Sequence, residues 1–325
     1  MTSTGTSTAA SPAAGTAARS VSSWWFPPTP ISRIAIFRVL VYLYIPIDMF
    51  ITGSWVRSHA RLGPTLYQPL LIARLFHLPA PTTAYVTVLQ FVVAAAAIVA
   101  LSGRAPRMVG WLVPFLYLAW MLVAMSYGKV DHDRFAFLVA LFVLPTVGAA
   151  GARDTCSSLR AGWALRCVQV SVVATYFLSA CAKVRAGGWN WPTGATLELA
   201  LIRRHTFLST WLIDKPYLLV PMQFAMLGAE LLSPLLLLAR SDRAKSAVAL
   251  VMWSFHIAVY AGVSIVFLPH CVAIASFVPL ERGWAALRGR AHGLADRTKG
   301  GPRLPGAQPD AAAAGHHNSD QPPLG

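Results

Sequence analysis

One lysine at the end of a long apolar stretch is the residue in this sequence best placed to do chemistry. Residues 164–182 are almost entirely apolar, long enough to cross most of a bilayer core of about 30 Å, and Lys183 follows them directly. The helical pattern breaks at Gly187-Gly188, and Trp189 and Trp191 come next. A lysine at such a position either anchors the helix at the head groups or serves as a functional amine, and position alone favours the anchor.

Composition indicates that this stretch belongs to a membrane protein. Of the 325 residues, 56% are hydrophobic and only 12% are charged, whereas soluble domains carry about 25% charged residues. We therefore expect an all-α, polytopic bundle of transmembrane helices. The net charge of +15 would suggest nucleic acid in a soluble chain. Here the basic residues lie mostly in short loops and the C-terminal tail, which favours membrane lipid as the partner and no nucleic acid.

The four cysteines do not indicate a metal centre or a disulfide framework. None forms a Cys-x-x-Cys pair, and three lie in or beside apolar segments, where buried thiols are usual. No metal is expected.

Apolar segments separated by polar loops predict about eight transmembrane helices. The last block, residues 246–280, is too long for one span, and we expect two helices broken near Leu268-Pro269. The other segments are expected at 34–52, 85–101, 108–127, 135–150, 164–183 and 218–239.

Basic residues concentrate in alternate loops, among them the loop that carries Arg104 and Arg107. This pattern predicts a multi-pass protein of the cell membrane with both termini in the cytoplasm. The expected organisation is a disordered tail at 1–23, a transmembrane domain at 24–284, and a tail at 285–325 that is first basic and then disordered.

Polar side chains inside the apolar segments need partners there, and we single out Arg38, Asp48, Glu230 and His256. Arg38 and Asp48 are ten residues apart, about 15 Å along a helix, so they cannot pair with each other. Hydrogen bonding between helices is the simplest role for all four, and a buried functional site is the alternative.

A charged cluster at residues 128–134 precedes the fourth segment and holds His132 between Asp131 and Asp133. By loop parity it lies on the same membrane face as Lys183. A histidine flanked by two carboxylates tends to stay protonated, and a neutral one can accept a proton from a nearby ammonium group. A solvated charged turn is the simpler interpretation of the cluster.

A series of short motifs spans residues 28–280, nearly all of the predicted ordered chain. They are Pro28-Thr29-Pro30 with Arg38 and Asp48, then Pro69-Leu70-Leu71, then Tyr176-Phe177 with Lys183, Trp189 or Trp191 and Gly194, then Glu230, and finally Phe255-His256 with Phe267. In this order and at these spacings they resemble the membrane domain of the vitamin K-dependent γ-carboxylase and its bacterial relatives, the horizontally transferred transmembrane (HTTM) proteins.

The resemblance implies a function for Lys183, which matches the lysine that deprotonates reduced vitamin K in the carboxylases. A vitamin K- or menaquinol-type hydroquinone, oxygen and carbon dioxide would then be the cofactors, and the anion formed would drive carboxylation of a protein or peptide substrate. The family histidine that orients the lysine matches His132, although the family's Asn-His pair falls on His132-Asp133. The aromatic residues expected to bind the quinone are Tyr176, Trp189 and Trp191. Arg38, Asp48, Asp133, Glu230 and His256 would support the site.

Two other functions remain open. The chain could be a non-enzymatic membrane scaffold or a partner subunit that keeps this fold without the chemistry. Transport is the weakest alternative, because we see no inverted repeat and no matched pair of broken helices. Convergence of Lys183 and His132 on one cavity is the feature that would favour the enzyme.

Overall fold

The computed structural model describes residues 21–102 and 108–299, and it confirms the predicted all-α class. In chain order the helices are α1 (Ile31–Ile47), α2 (Val56–His59), α3 (Leu71–Leu75), α4 (Thr83–Leu101), α5 (Met108–Ala124), α6 (Phe135–Val143), α7 (Leu159–Gly187), α8 (Thr196–Arg204), α9 (Phe207–Ile213), α10 (Pro216–Leu232), α11 (Asp242–Val263), α12 (Leu268–Ile274) and α13 (Leu280–Lys299).

Short turns extend or join these helices. A π-helical turn at Asp48–Thr52 continues α1. The 3₁₀ turns are Pro64–Leu66, His132–Arg134, Leu144–Val147, Trp191–Thr193, Ser233–Leu238 and Ala275–Phe277. Strand β1 (Thr29–Pro30) pairs antiparallel with strand β2 (Ser157–Ser158).

Five helices of the described chain are long and apolar enough to cross a membrane, fewer than the eight segments expected. They are Ile31–Thr52, Thr83–Leu101, Leu159–Gly187, Pro216–Leu238 and Asp242–Val263. Met108–Ala124 and Leu268–Phe277 are apolar but shorter. Proline shortens the segment expected at 135–150, where α6 stops at Val143 and Pro145 enters a 3₁₀ turn.

The last apolar block forms two helices, as predicted. The break lies at residues 264–267, between α11 and α12, just ahead of the predicted position. Ser264 adopts the left-handed conformation with φ 51°, which ends α11. Pro269 lies in the first turn of α12, where backbone N–H groups have no partner within the helix, so its missing N–H costs no hydrogen bond.

The chain ends differ from the prediction where they are described. Residues 21–25 form a helical turn inside the tail expected to be disordered. Helix α13 runs to Lys299, so the backbone at 293–299, also expected to be disordered, is helical. The remaining tail residues, 1–20 and 300–325, and the loop with Arg104 and Arg107 lie outside the described residues.

The main core lies where α1, α4, α5, α6 and α7 pack together. Its largest fully buried side chains include Trp120, Tyr117, Phe37 and Phe137. A smaller apolar cluster forms where α8 and α9 pack on α10 and α11, around Leu201. Helix α7, which carries Lys183 near its C-terminal end, packs against α10.

Helix α7 is longer than predicted at both ends, and a glycine near each end has a structural role. At its start, a Cβ built on Gly162 would lie 1.8 Å from the carbonyl oxygen of Pro27, so only glycine allows the segment before β1 to cross the helix. At its far end, Gly188 has φ 66° and terminates the helix, as the sequence predicted.

Gly162→Ala should lower the free energy of unfolding by about 1–3 kcal/mol or more, because the new methyl group meets a backbone atom that cannot rotate away. Gly228→Ala is the matched control on α10, since nothing lies within 4 Å of its Cβ position. There alanine should leave stability unchanged or raise it by up to about 1 kcal/mol through helix propensity. Thermal unfolding in detergent, followed by circular dichroism, measures both. Equal effects at the two positions would contradict the close approach.

Candidate functional site: a cavity at the C-terminal half of helix α7

A cavity of about 240 Å³ opens where α7, α10, α11 and α12 meet the His132–Arg134 turn. Its lining is unusually rich in titratable side chains for a helix bundle: His132, Asp133, Tyr176, Lys183, Glu230, His256 and His270. Most of the other lining groups are apolar or aromatic, among them Phe255 and Phe267. Lys183 and His132, the two residues whose convergence would favour an enzyme, therefore line the same space.

Helix α7 presents three polar side chains to the cavity because they lie on one face. Tyr176, Ser179 and Lys183 are spaced i, i+3 and i+7, which places them above one another along the helix. The Lys183 Nζ donates hydrogen bonds to both Glu230 carboxylate oxygens at 2.5 Å and to the Ser179 Oγ at 3.0 Å. The lysine therefore points into the bundle and forms an ion pair there.

Glu230 comes from α10, and its residue is only 6% exposed. A buried carboxylate needs a counter-charge and hydrogen bonds, and the Lys183 ammonium supplies both. The bond joins α7 to α10 near the end of each helix. Lys183 and Glu230 thus form one unit in which a proton can be held by the amine, the carboxylate or both.

The turn after α7 covers one side of this ion pair. Lys183 Nζ lies 5.5 Å from the centre of the Trp191 ring, a cation–π contact. Gly187 makes room for that ring, since a Cβ there would be 2.8 Å from the Trp191 Cδ1. Gln223 on α10 fixes the turn by donating to the carbonyl oxygens of Pro192, at 3.0 Å, and Gly194, at 2.9 Å.

The His132–Arg134 turn supplies the opposite side of the cavity. Desolvation lowers the pKa of His132, and the Lys183 ammonium lowers it further, while Asp131 opposes both effects. The expectation that flanking carboxylates keep this histidine protonated is therefore wrong, because desolvation outweighs them. Desolvation also raises the pKa of Asp133 to about 6, against the opposing effect of Arg134. Burial therefore shifts each group toward its neutral form, although the Asp133 carboxyl group still ionises above about pH 6.

Tyr176 and His256 form a second hydrogen-bonded pair in the cavity. The Tyr176 hydroxyl and the His256 Nε2 are 2.6 Å apart, joining α7 to α11. His270 on α12 lies beside them, with its ring centre 5.0 Å from that of Tyr176. The cavity therefore contains one ion pair and one neutral polar cluster.

A second cavity, of about 260 Å³, shares His132, Asp133 and Phe267 with the first. It is lined by more charged groups, including Lys129, Asp131 and Arg204. The His132–Arg134 turn therefore lies between two spaces of different polarity.

Several residues singled out in the sequence lie elsewhere. Arg38 donates to the carbonyl oxygens of Leu144, at 3.0 Å, and Gly148, at 2.8 Å, which links α1 to the end of the α6 segment. Trp189 is 72% exposed and does not line the cavity. Asp48 is fully buried and pairs with Arg134.

The Asp48 carboxylate is almost completely enclosed by donors. Arg134 bonds to it, the Tyr117 hydroxyl donates at 2.9 Å, and the Thr52 hydroxyl donates at 2.7 Å from the π-helical turn. Tyr44 adds a longer bond of 3.3 Å. Such an enclosed pair holds α1, α5 and the His132–Arg134 turn together, so Asp48 supports the site by fixing the turn that carries His132.

Sequence reasoning missed three residues of this arrangement: Arg134, Ser179 and His270. Arg134 was in the charged cluster, but nothing in the sequence paired it with Asp48. His270 could have been found by the argument applied to His256, because it too is a polar residue inside an apolar block.

Comparison with known proteins adds no assignment: no protein-family model, no curated protein and no solved structure matches the chain. The functional argument therefore rests on the residues and geometry of the cavity.

Asp48→Asn should lower the free energy of unfolding by about 3–5 kcal/mol, because it leaves the Arg134 guanidinium buried without a counter-charge. The double variant Asp48→Asn/Arg134→Met should recover part of that loss. Asp154→Asn, in an exposed loop, serves as control and should change stability by no more than about 0.5 kcal/mol. Thermal unfolding in detergent distinguishes these outcomes, and a loss no greater than the control's would refute the enclosed pair.

Asp133→Asn should stabilise the protein at about pH 7.5 and lose that advantage as the pH falls. The carboxyl pKa is about 6 in the folded protein and about 3.9 in an unfolded chain, so folding takes up a proton between these values. Wild type carries an unfavourable charge above about pH 6, which protonation removes by about pH 4. Thermal unfolding of wild type and Asp133→Asn across this pH range tests the direction of the effect. Protonation of His132 also changes stability with pH, but it does so in both proteins and therefore cancels in their difference. A constant difference in melting temperature would contradict it.

Proposed function

We propose that this chain is a multi-pass membrane enzyme of the HTTM and γ-carboxylase-like class, which uses Lys183 and Glu230 to take a proton from a lipid-soluble hydroquinone. About eight apolar segments would cross the cell membrane, with both termini in the cytoplasm. The observation that carries the proposal is the Lys183–Glu230 pair, which borders a cavity also lined by His132, Asp133 and the Tyr176–His256 pair. The buried Asp48 carboxylate lines neither cavity and is surrounded by donors, although its partner Arg134 lines the second cavity.

The cavity suits the head group of such a ligand. Its volume of about 240 Å³ lies just below the roughly 300–1,000 Å³ of pockets for drug-sized ligands, which fits a ring system whose apolar tail lies outside among the helices. Aromatic side chains, among them Tyr176, Phe255 and Phe267, offer flat apolar contacts. A buried, unpaired Nδ1 on His256 can bond to a ring oxygen.

A bound hydroquinone would supply an acidic hydroxyl, and the chain's own residues determine where its proton goes. The Lys183 Nζ donates to a Glu230 oxygen 2.5 Å away, so Glu230 can take the proton and leave a neutral amine that faces the cavity. A proton gained by that amine restores the ammonium while Glu230 remains neutral. The unit then carries one net positive charge, which favours an anion beside it.

His132 adds no competing positive charge next to the Lys183–Glu230 unit, because desolvation lowers its pKa. Asp133, with a pKa of about 6, is neutral only below that pH and carries a negative charge above it. A neutral histidine can also accept a proton from the lysine side and pass it toward the second cavity, which His132 also lines. Membrane lipid and a protein or peptide substrate, or a partner subunit, are the partners that we propose.

One observation favours a non-enzymatic scaffold as the second candidate. Lys183 and Glu230 satisfy each other's charge while joining α7 to α10, as a purely structural pair would. The two candidates differ in what a neutral replacement of both residues does. A scaffold keeps its stability and its role, whereas an enzyme keeps its stability and loses its activity.

Purified protein in detergent, given vitamin K hydroquinone or menaquinol with oxygen and bicarbonate, should form quinone epoxide. Lys183→Met and the double variant Lys183→Met/Glu230→Gln should both lose activity by about 100-fold or more, the usual contribution of a general base. Because the double variant leaves no unpaired buried charge, it should unfold near the wild-type temperature, unlike Lys183→Met.

Lys215→Met is the matched control, because Lys215 also contacts a tryptophan ring, at 4.3 Å from Trp211, but does not line the cavity. It should keep full activity. Absence of epoxide from folded wild type would overturn the enzyme proposal and favour the scaffold. Epoxide formation by the double variant would show that Lys183 takes no part in the reaction.

A further inference from the structure

His270 is a buried polar side chain of the cavity that no described group hydrogen-bonds. It lies on α12, is 1% exposed, and lines the same space as Lys183. Both of its ring nitrogens, Nδ1 and Nε2, are without a partner. Buried polar groups are nearly always paired in folded proteins, so an imidazole with two unpaired nitrogens in a cavity points to a ligand.

The neighbours of His270 do not supply the missing bonds. Its ring stands edge-on to Tyr176 and lies 5.3 Å from the ring of His256, contacts between rings that leave both nitrogens free. His256 uses its Nε2 to bond Tyr176 and leaves its own Nδ1 buried and unpaired. Three unpaired ring nitrogens therefore gather in one part of the cavity.

This polar group is separate from the Lys183–Glu230 pair. Tyr176 and Lys183 are seven residues apart on α7, about 10 Å along the helix axis. The cavity thus has a charged end at Lys183, Glu230 and Ser179, and an imidazole end at Tyr176, His256 and His270. A ligand that satisfies both ends carries polar atoms on opposite sides of one ring system.

We propose that His270 binds the second oxygen of an aromatic ligand whose first hydroxyl meets the Lys183–Glu230 pair. This inference rests on the proposed function and specifies its substrate class as a ring with two oxygens in para positions. Neutral imidazole has one donor and one acceptor nitrogen, so His270 can accept from a hydroxyl group and donate to a carbonyl oxygen. It therefore matches both the reduced and the oxidised form of such a ring, whereas an ammonium group only donates and a carboxylate only accepts.

Equilibrium binding tests this without requiring turnover. Under anaerobic, reducing conditions, 1,4-dihydroxynaphthalene and 1-naphthol differ by one hydroxyl group, and their dissociation constants follow from tryptophan fluorescence or calorimetry. Wild type should bind the diol about tenfold more tightly, as expected for one neutral hydrogen bond. His270→Leu should abolish that preference and leave 1-naphthol affinity within about twofold.

A conservative variant and a stability measurement exclude a merely structural role. His270→Gln keeps a donor and an acceptor and should retain the preference for the diol. His270→Leu removes an unpaired polar group, so its melting temperature should equal or exceed that of wild type. Weaker binding of both ligands together with a lower melting temperature would make His270 structural and overturn the proposal.

Two further outcomes separate this inference from the proposed function. Equal affinity of wild type for the two ligands, with epoxide still formed in the turnover assay, overturns the role of His270 alone. Failure of wild type to bind either ligand overturns this inference and, with it, the hydroquinone as the substrate of the cavity.

Discussion

A charge inside an apolar helix bundle must find its partner there, because lipid and apolar side chains offer none. The Asp48–Arg134 and Lys183–Glu230 ion pairs obey that constraint in different ways. Asp48 and Arg134 are enclosed by Tyr117, Thr52 and Tyr44, and the pair links helices. Lys183 and Glu230 both line the first cavity, whereas of the other pair only Arg134 reaches a cavity. The surroundings of each pair, more than the pair itself, distinguish a structural contact from a candidate for chemistry.

Local sequence signals predicted the helices well where glycine or proline ends them. The end of α7 at Gly188 and the division of the last apolar block follow from backbone conformations that these residues impose. The segment at 135–150 was predicted as one span because its apolar run is continuous, yet Pro145 shortens α6. Apolar composition alone does not determine where a helix stops, and five helices of the described residues meet the length and hydropathy of a span, compared with the eight segments expected.

The sequence does not show which polar residues form hydrogen bonds or ion pairs with one another. Loop parity places residues on one face of the membrane, but it says nothing of how each helix is rotated about its axis. Glu230 and Lys183 were both singled out, and their bond depends on the packing of α10 against α7. His270 was overlooked because the residue before it, Pro269, was read only as part of a helix break. Packing brings its ring beside Tyr176, 94 positions earlier in the chain.

The two cavities share His132, Asp133 and Phe267 in their linings. A molecule in one that altered the position or protonation of this histidine or carboxyl group would change the affinity of the other cavity. Thermodynamic linkage makes that coupling reciprocal: whatever one occupant does to the binding of the second, the second does equally to the first. The 3₁₀ turn that carries His132 and Asp133 lies between the largely apolar first cavity and the more charged second cavity. It is thus the segment through which binding in one cavity would affect binding in the other.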